Sequence, residues 1–559
     1  MRTLKPMFVP VALALLLGGC AGAVAPPAAP APPTAAPATP SATRPAPTLM
    51  APDTVPRDWW LLDPATDRIA GIGVTRAYRE LLAGKQPKRS VVVAIIDSGA
   101  DIAHPDLDGN RWVNADEVAG NRRDDDGNGY VDDVHGWNFI GGPDGRHVDY
   151  DTYEVTRAYA ALRRYENARA DTLSPAARAE YERWRSVRAE YQAKRAEAAQ
   201  LVQQLRTFAP AAERIVAILR RAVGGDSLGL SRVAALRSSD PTVAEARRVY
   251  RELARGGLEL ERVGEELEGA EKRLRYSLDP AFDPRPIVGD DFANGTERGY
   301  GNPDVEGPAA DHGTHVSGIA GAERGNGLGI DGIAPAIRLM QIRAVPQGDE
   351  RDKDVANAIR YAVDNGAQII NLSFGKDLSP RKHLVDAAVR YADSAGVLMV
   401  HAAGNDGHDI TRERNFPTRV YENGDSARLW IEVGASSWQG ADLLAAPFSN
   451  YGRGRVDVFA PGNDILSTVQ GGGYRRFGGT SMAAPVVTGV AALLMAYYPD
   501  LSAAQVRQII LDSATRFPDQ SVARPGSESG RVRFAELSAT GGIVNAYEAV
   551  RLAEQMSGR

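Results

Sequence analysis

Apolar positions along this chain follow two different periods, and the change from one to the other divides it. An unbroken apolar run at residues 91–96 ends in Asp97, and a similar short run follows at 396–400. Short runs with no polar alternation suit strands buried on both faces, as in a parallel sheet covered by helices. Elsewhere the spacing is helical. Residues 71–82 predict a short amphipathic helix, residues 486–494 a buried helix and residues 541–550 a closing helix. Strand and helix patterns alternate from Asp97 to the carboxyl end, which predicts an α/β fold around a parallel sheet.

One segment departs from this alternation. Residues 150–279 are rich in Ala, Arg, Glu and Leu, and Ser174-Pro175 supplies a cap residue followed by proline in a first helical turn. Trp184, Tyr191, Ala198 and Leu205 recur at every seventh residue, with Arg188 and Arg195 interrupting the complementary positions. Pro210 and the Asp240-Pro241 pair mark two further starts. An all-α insertion is therefore expected at 151–280, with three or more helices packed as a hairpin or small bundle. Its apolar stripe is read as internal packing.

At the front, Arg2 and Lys5 precede the apolar run 8–17, and Leu17-Gly18-Gly19-Cys20 follows. Charged, apolar and small-residue regions in that order mark an export signal, with a core too short to span a bilayer. Residues 21–55 are dense in Ala and Pro with little to bury, which predicts a semi-rigid tether. Cys20 is the only cysteine, so no disulfide can form within the chain. The 65 basic and 71 acidic residues leave a net charge of -6, which gives no reason to expect nucleic acid as a partner. Of the 559 residues, 56–150 and 281–559 are left for one large core.

The chemistry lies in three blocks of that core. Gly479-Thr480-Ser481-Met482-Ala483-Ala484-Pro485 places a serine at the mouth of the buried helix, beside the positive end of its dipole. A serine hydroxyl is a weak nucleophile without a base, so partners are required. Asp97 closes a buried strand, and Asp311-His312-Gly313-Thr314-His315 presents an imidazole at a helix start. Together, in the order Asp, His, Ser, these blocks closely resemble the subtilisin-like serine proteases, over residues 59–150 and from 283 onward.

The resemblance implies a doubly wound, mostly parallel sheet flanked by helices, and a serine endopeptidase acting through an acyl-enzyme. Ser481 is then the nucleophile, His312 the general base and Asp97 the group that orients it, while His315 is structural. Asn405, in Val400-His401-Ala402-Ala403-Gly404-Asn405, takes the place of the oxyanion donor. Residues 369–375 resemble the strand edge that holds an extended peptide. Ser373, Phe374, Gly375, Ala402, Ala403 and Gly404 would wall the primary pocket, with Asp406 at its rim. Asn415 stands where many relatives have glycine, so a shallower, more polar pocket is expected. The leader resembles a bacterial lipobox, which implies a lipid on Cys20 and an outer-membrane site in the cell envelope. No folded propeptide is expected in the short space before the core.

Asp124-Asp125-Asp126-Gly127-Asn128-Gly129-Tyr130-Val131-Asp132 is a further candidate site. Oxygen ligands at alternate positions with glycine between them suit calcium. Asp124, Asp126 and Asn128 fill the first, third and fifth places, Tyr130 offers its carbonyl, and Asp132 completes the candidate set. His135 stands where a full EF-hand has glutamate, so the expectation is a partial, structural calcium loop. Two other readings remain for the chain as a whole: an inactive scaffold with this fold, and an envelope chaperone acting through the insertion. The insertion separates Asp97 from His312 and is placed where it could lie over the cleft. Oligomeric state has no signal in the sequence.

Overall fold

The computed structural model describes residues 46–558, apart from 51, 53, 226, 227, 256, 257, 259 and 528. Cys20, the expected export segment and residues 21–45 of the expected tether lie outside the described residues. The folded part opens with a 3-10 turn, Trp59–Leu61, whose two tryptophans are fully buried. A short helix follows, α1 (Val74–Glu80).

Seven strands form the parallel body of the sheet: β1 (Val91–Asp97), β2 (Gly136–Asn138), β3 (Ile337–Arg343), β4 (Ile369–Leu372), β5 (Leu398–Ala402), β6 (Trp430–Ser436) and β7 (Val458–Pro461). Across the sheet they run β2, β3, β1, β4, β5, β6, β7. A hairpin follows in the chain, β8 (Ile465–Val469) with β9 (Gly473–Phe477), then β10 (Thr515–Arg516) and a small ribbon, β11 (Ser521–Ala523) with β12 (Arg531–Arg533). Last comes β13 (Gly542–Ile543), which lies parallel to β7 and antiparallel to β10.

The sheet is buried on both faces because its strands carry apolar side chains on both. Val91, Val93 and Ile95 of β1 enter one core, and Ala94 and Ile96 enter the other. The helices of the main body are α7 (Asp311–Gly321), α8 (Asp352–Asp364), α9 (Lys382–Ser394), α10 (Thr480–Tyr497), α11 (Ala503–Asp512) and α12 (Ala546–Ser557). The first core takes α1, α7, α10, α11 and α12, and the second takes α8 and α9. Helix α10 is apolar on all sides because it is enclosed on all sides. Each buried Val or Leu along it contributes about 1.5–3 kcal/mol.

Two expectations change here. Residues 541–550 are not one helix: Gly542 and Ile543 form β13, and α12 begins at Ala546, where the Asn545 side chain accepts from the Glu548 amide at 2.9 Å. Residues 369–372 are not an edge either. β4 is bonded to β1 on one side and β5 on the other, so only the chain beyond Leu372 has backbone groups to offer.

The insertion is helical: α2 (Glu154–Leu162), α3 (Pro175–Val223), α4 (Leu230–Ala235), α5 (Pro241–Arg255) and α6 (Val263–Lys272). Ser174 caps α3 by accepting from the Ala177 amide at 3.3 Å, and Asp240 accepts from the Thr242 amide at the start of α5. Pro210 starts nothing. It sits inside α3, a 49-residue helix roughly 70 Å long at about 1.5 Å per residue. A proline there costs about 3 kcal/mol, but Ala209, Ala212, Val216 and Leu219 are buried with Ala246 and Tyr250 of α5, which holds the helix through it. Nearer the sheet, Tyr191 of α3 stacks on Tyr159 of α2 with ring centres 4.3 Å apart.

Candidate active site

β1 lies between β3 and β4, so the chain winds away from it in both directions. At such a reversal a crevice opens past the carboxyl ends of the strands. Asp97 ends β1, residues 373–375 continue from β4, and residues 403–405 continue from β5. His312 and Ser481 sit in the first turns of α7 and α10, which pack against each other. Gly313 makes the approach of α7 possible. A Cβ on it would fall 2.1 Å from the Gly99 carbonyl oxygen and 3.2 Å from the Asp97 Cβ.

Nδ1 of His312 is 2.7 Å from Oδ1 of Asp97, a carboxylate only 2% exposed. A carboxylate only accepts, so the imidazole proton rests on Nδ1 and Nε2 is free to take another. The same Oδ1 accepts from the Ser98 amide at 2.7 Å, whereas Oδ2 is buried without a partner. Burial works against protonation of His312, but the Asp97 charge and hydrogen bond outweigh it and hold the imidazole above its ordinary value. His315 differs. Its Nε2 donates to the Ile465 and Arg475 carbonyls, both at 3.0 Å, its ring stacks on Phe477, and burial pushes it down to about 3. His315 is a neutral packing group.

Ser481 is half-buried, and its hydroxyl donates to the Ser373 carbonyl at 3.1 Å rather than to His312. Asn405 is exposed, and its carboxamide oxygen accepts from the Thr480 amide at 2.8 Å and the Thr480 hydroxyl at 3.1 Å. An amide N–H can only donate, which fixes the orientation of the Asn405 side chain and leaves its Nδ2 free. The Thr480 hydroxyl in turn accepts from the Gly404 amide at 3.0 Å. Thr480 is thus a positioning residue that sequence reasoning passed over, although it stands inside the quoted serine block.

A cavity of about 290 Å3 opens beside Ser481 and Asn405. Phe374, Gly375, Gly404 and Asn415 line it as expected, and Asp406 joins them. Asn415 lies against Gly375 and donates from Nδ2 to the Ala402 carbonyl at 3.1 Å. Two candidates are corrected. Ala403 is fully buried in the core behind, because successive side chains leaving β5 point to opposite faces, whereas Ala402 lines the cavity. The Ser373 side chain also points inward, bonded to the Ser481 carbonyl at 2.9 Å, so its own carbonyl is what meets the serine hydroxyl.

The far wall of the cavity comes from the insertion, through Tyr153, Val155, Glu190 and Lys194. Buried ion pairs fix it in place. Lys376, next to Gly375, reaches Glu154 of α2 at 3.3 Å and Asp352 at 2.8 Å. Burial pushes the neighbouring Asp349 up to about 6.

In the acidic loop, one oxygen each from Glu117, Asp124 and Asp126 gather within 4.8 Å of one another, and Oδ1 of Asp124 is buried without a hydrogen-bond partner. Those three fit a hard cation. Asp132 lies outside the group, and its carboxylate accepts from the Asn121 and Arg122 amides, at 3.1 and 3.0 Å. Asn128 turns its carboxamide oxygen to the Tyr130 amide. Glu117, which stands outside the alternating pattern, is the third carboxylate of the group.

The subtilase family model matches residues 88–531. A thermophilic serine proteinase of Bacillus sp. (strain AK1) is 44% identical over 216 residues, 38% of this chain and 48% of that protein. An intracellular serine protease of Paenibacillus polymyxa is 38% identical over 221 residues, 38% of this chain and 62% of that one. Among solved structures, a protease of Pseudoalteromonas arctica PAMC 21717 superposes with a TM-score of 0.37 at 27% identity, over 46% of this chain and 80% of that one. The chain spans about half the length of most curated relatives it matches. With a family match that runs through β1, α7 and α10, the chain belongs to the subtilase family.

Proposed function

We propose that this protein is a serine endopeptidase that cleaves peptide bonds through an acyl-enzyme on Ser481. The observation that carries the reading is the buried Asp97 carboxylate bonded at 2.7 Å to His312, with the Nε2 of that ring free. In the reaction the Ser481 hydroxyl leaves the Ser373 carbonyl, its resting partner, for His312. His312 Nε2 accepts the proton as Oγ bonds to the scissile carbonyl carbon, and Asp97 stabilises the resulting imidazolium. The charge that develops on the carbonyl oxygen meets the free Nδ2 of Asn405, a donor of the kind that supplies on the order of 3 kcal/mol. His312 then protonates the leaving amine, and water, losing its proton to His312, releases the acyl group.

Substrates on this reading are proteins or peptides laid against residues 373–375, and the lipid expected on Cys20 holds the enzyme at the bacterial envelope. A fluorophosphonate probe applied to membrane fractions should leave its adduct on the peptide that contains Ser481, and Cys20→Ser should move the labelled protein to the soluble fraction. An unmodified Ser481 in folded protein would refute the protease reading. Labelled protein that is soluble with Cys20 intact would refute the anchor alone.

The acidic loop is proposed as a calcium site held by Glu117, Asp124 and Asp126, with a role in stability. Chelation should lower the melting temperature by about 5 °C or more, and calcium should restore it. A melting temperature indifferent to both treatments rules the site out.

A further inference from the structure

We propose that the helical insertion builds the outer wall of the primary substrate pocket, and that Glu190, with Asp349 and Asp406, selects lysine or arginine on the acyl side of the cleaved bond. The inference rests on the endopeptidase reading and narrows its substrate class.

The cations in the pocket wall are already committed. Lys194 pairs with Asp377 at 2.8 Å, and Lys376 is buried between Glu154, Asp352 and the Glu350 carbonyl. The acids are not. Among the described residues Glu190 and Asp406 have carboxylates with no hydrogen-bond or ion-pair partner, and Asp349 accepts only from the Glu154 amide, at 2.7 Å. Glu190 is also half-buried. Its carboxylate is drawn partly out of water, and the neighbouring cation, Lys194, is held by Asp377, so a cation that enters beside Glu190 recovers part of the cost of burial.

Asn415 adds a second, independent argument. With Nδ2 committed to the Ala402 carbonyl, its Oδ1 faces Gly375 as an acceptor without a donor. The pocket therefore presents acceptors with few donors to match. Lysine and arginine side chains end in donors only, whereas a phenylalanine or leucine there would cover the Glu190 carboxylate and the Asn415 Oδ1 without giving either a donor. Selectivity of this kind comes from polar groups that the wrong side chain strands.

Peptide substrates that differ only in the residue before the scissile bond test this on the full chain. Wild-type kcat/KM should favour lysine over leucine by about tenfold or more, Glu190→Gln should cut that ratio by about fivefold, and Glu190→Lys should invert it. Glu245→Gln, at an exposed position of α5, is the control and should keep the ratio. A wild-type preference for leucine or phenylalanine, or an unchanged ratio in Glu190→Gln, overturns the inference while Ser481 still takes the fluorophosphonate. If no peptide is cleaved and Ser481 takes no probe, the endopeptidase reading fails, and this inference with it.

Discussion

Exchange of Ser481 for alanine is expected to lower kcat on casein by about 10^6-fold, with little change in melting temperature. The two outcomes separate because of what the hydroxyl touches. In the resting structure its hydrogen bond is to the Ser373 carbonyl at 3.1 Å, in a half-buried position at the start of α10. Loss of such a bond costs about 0.5–1.5 kcal/mol, and alanine recovers part of that through its higher helix propensity. The Ser481 carbonyl keeps its own bond from the Ser373 hydroxyl, so the turn that presents the residue stays in place. The reaction has no such substitute, since no other hydroxyl stands at that point. Casein hydrolysis and thermal denaturation of the same preparation read the two effects together. A rate within tenfold of wild type would place the nucleophile elsewhere.

The sequence made β1 and α10 plain because both are buried on every side, so their runs of apolar residues carry no polar interruption to confuse the period. Asp97, His312 and Ser481 were legible for another reason: each stands at the end of such a run, where the chain turns from core to cleft. What stayed hidden depends on contacts between distant segments. Nothing near Pro210 shows that Ala209, Ala212 and Val216 are held by α5, so by sequence alone the proline reads as the start of a further helix rather than as part of this one. Gly542 and Ile543 form a strand only because β7 offers them a partner. Glu117 joins Asp124 and Asp126 from outside the alternating pattern that marked the loop. Glu190 reaches the pocket through the packing of α2 and α3, and no local period in α3 could place it beside Ser481. Thr480 is the exception: its bonds to Asn405 and Gly404 were open to inference from its place beside the serine.

Asp97→Asn should lower kcat by about 10^3–10^4-fold, and the pH profile distinguishes why. The Asp97 charge and hydrogen bond together hold His312 above the ordinary imidazole value of 6.5, against the opposing effect of burial. The base must be neutral to act, so wild-type activity should rise with pH through a midpoint above 6.5 and favour alkaline conditions. Asparagine removes the charge and leaves the burial, so the midpoint should move below 6.5. The ring need not be released, because the carboxamide oxygen of the variant can still accept from Nδ1 of His312 and from the Ser98 amide where Oδ1 does now. The loss in rate then reports chiefly the charge that stabilises the imidazolium. Stability follows the opposite sign. A histidine raised in the folded state adds stability that is fully present below 6.5 and disappears as the pH passes its folded value. Asp97→Asn should therefore destabilise the protein more at pH 6 than at pH 9, as denaturation at the two pH values would measure. A midpoint that does not move in the variant would mean that His312 is not the group whose ionisation limits the rate.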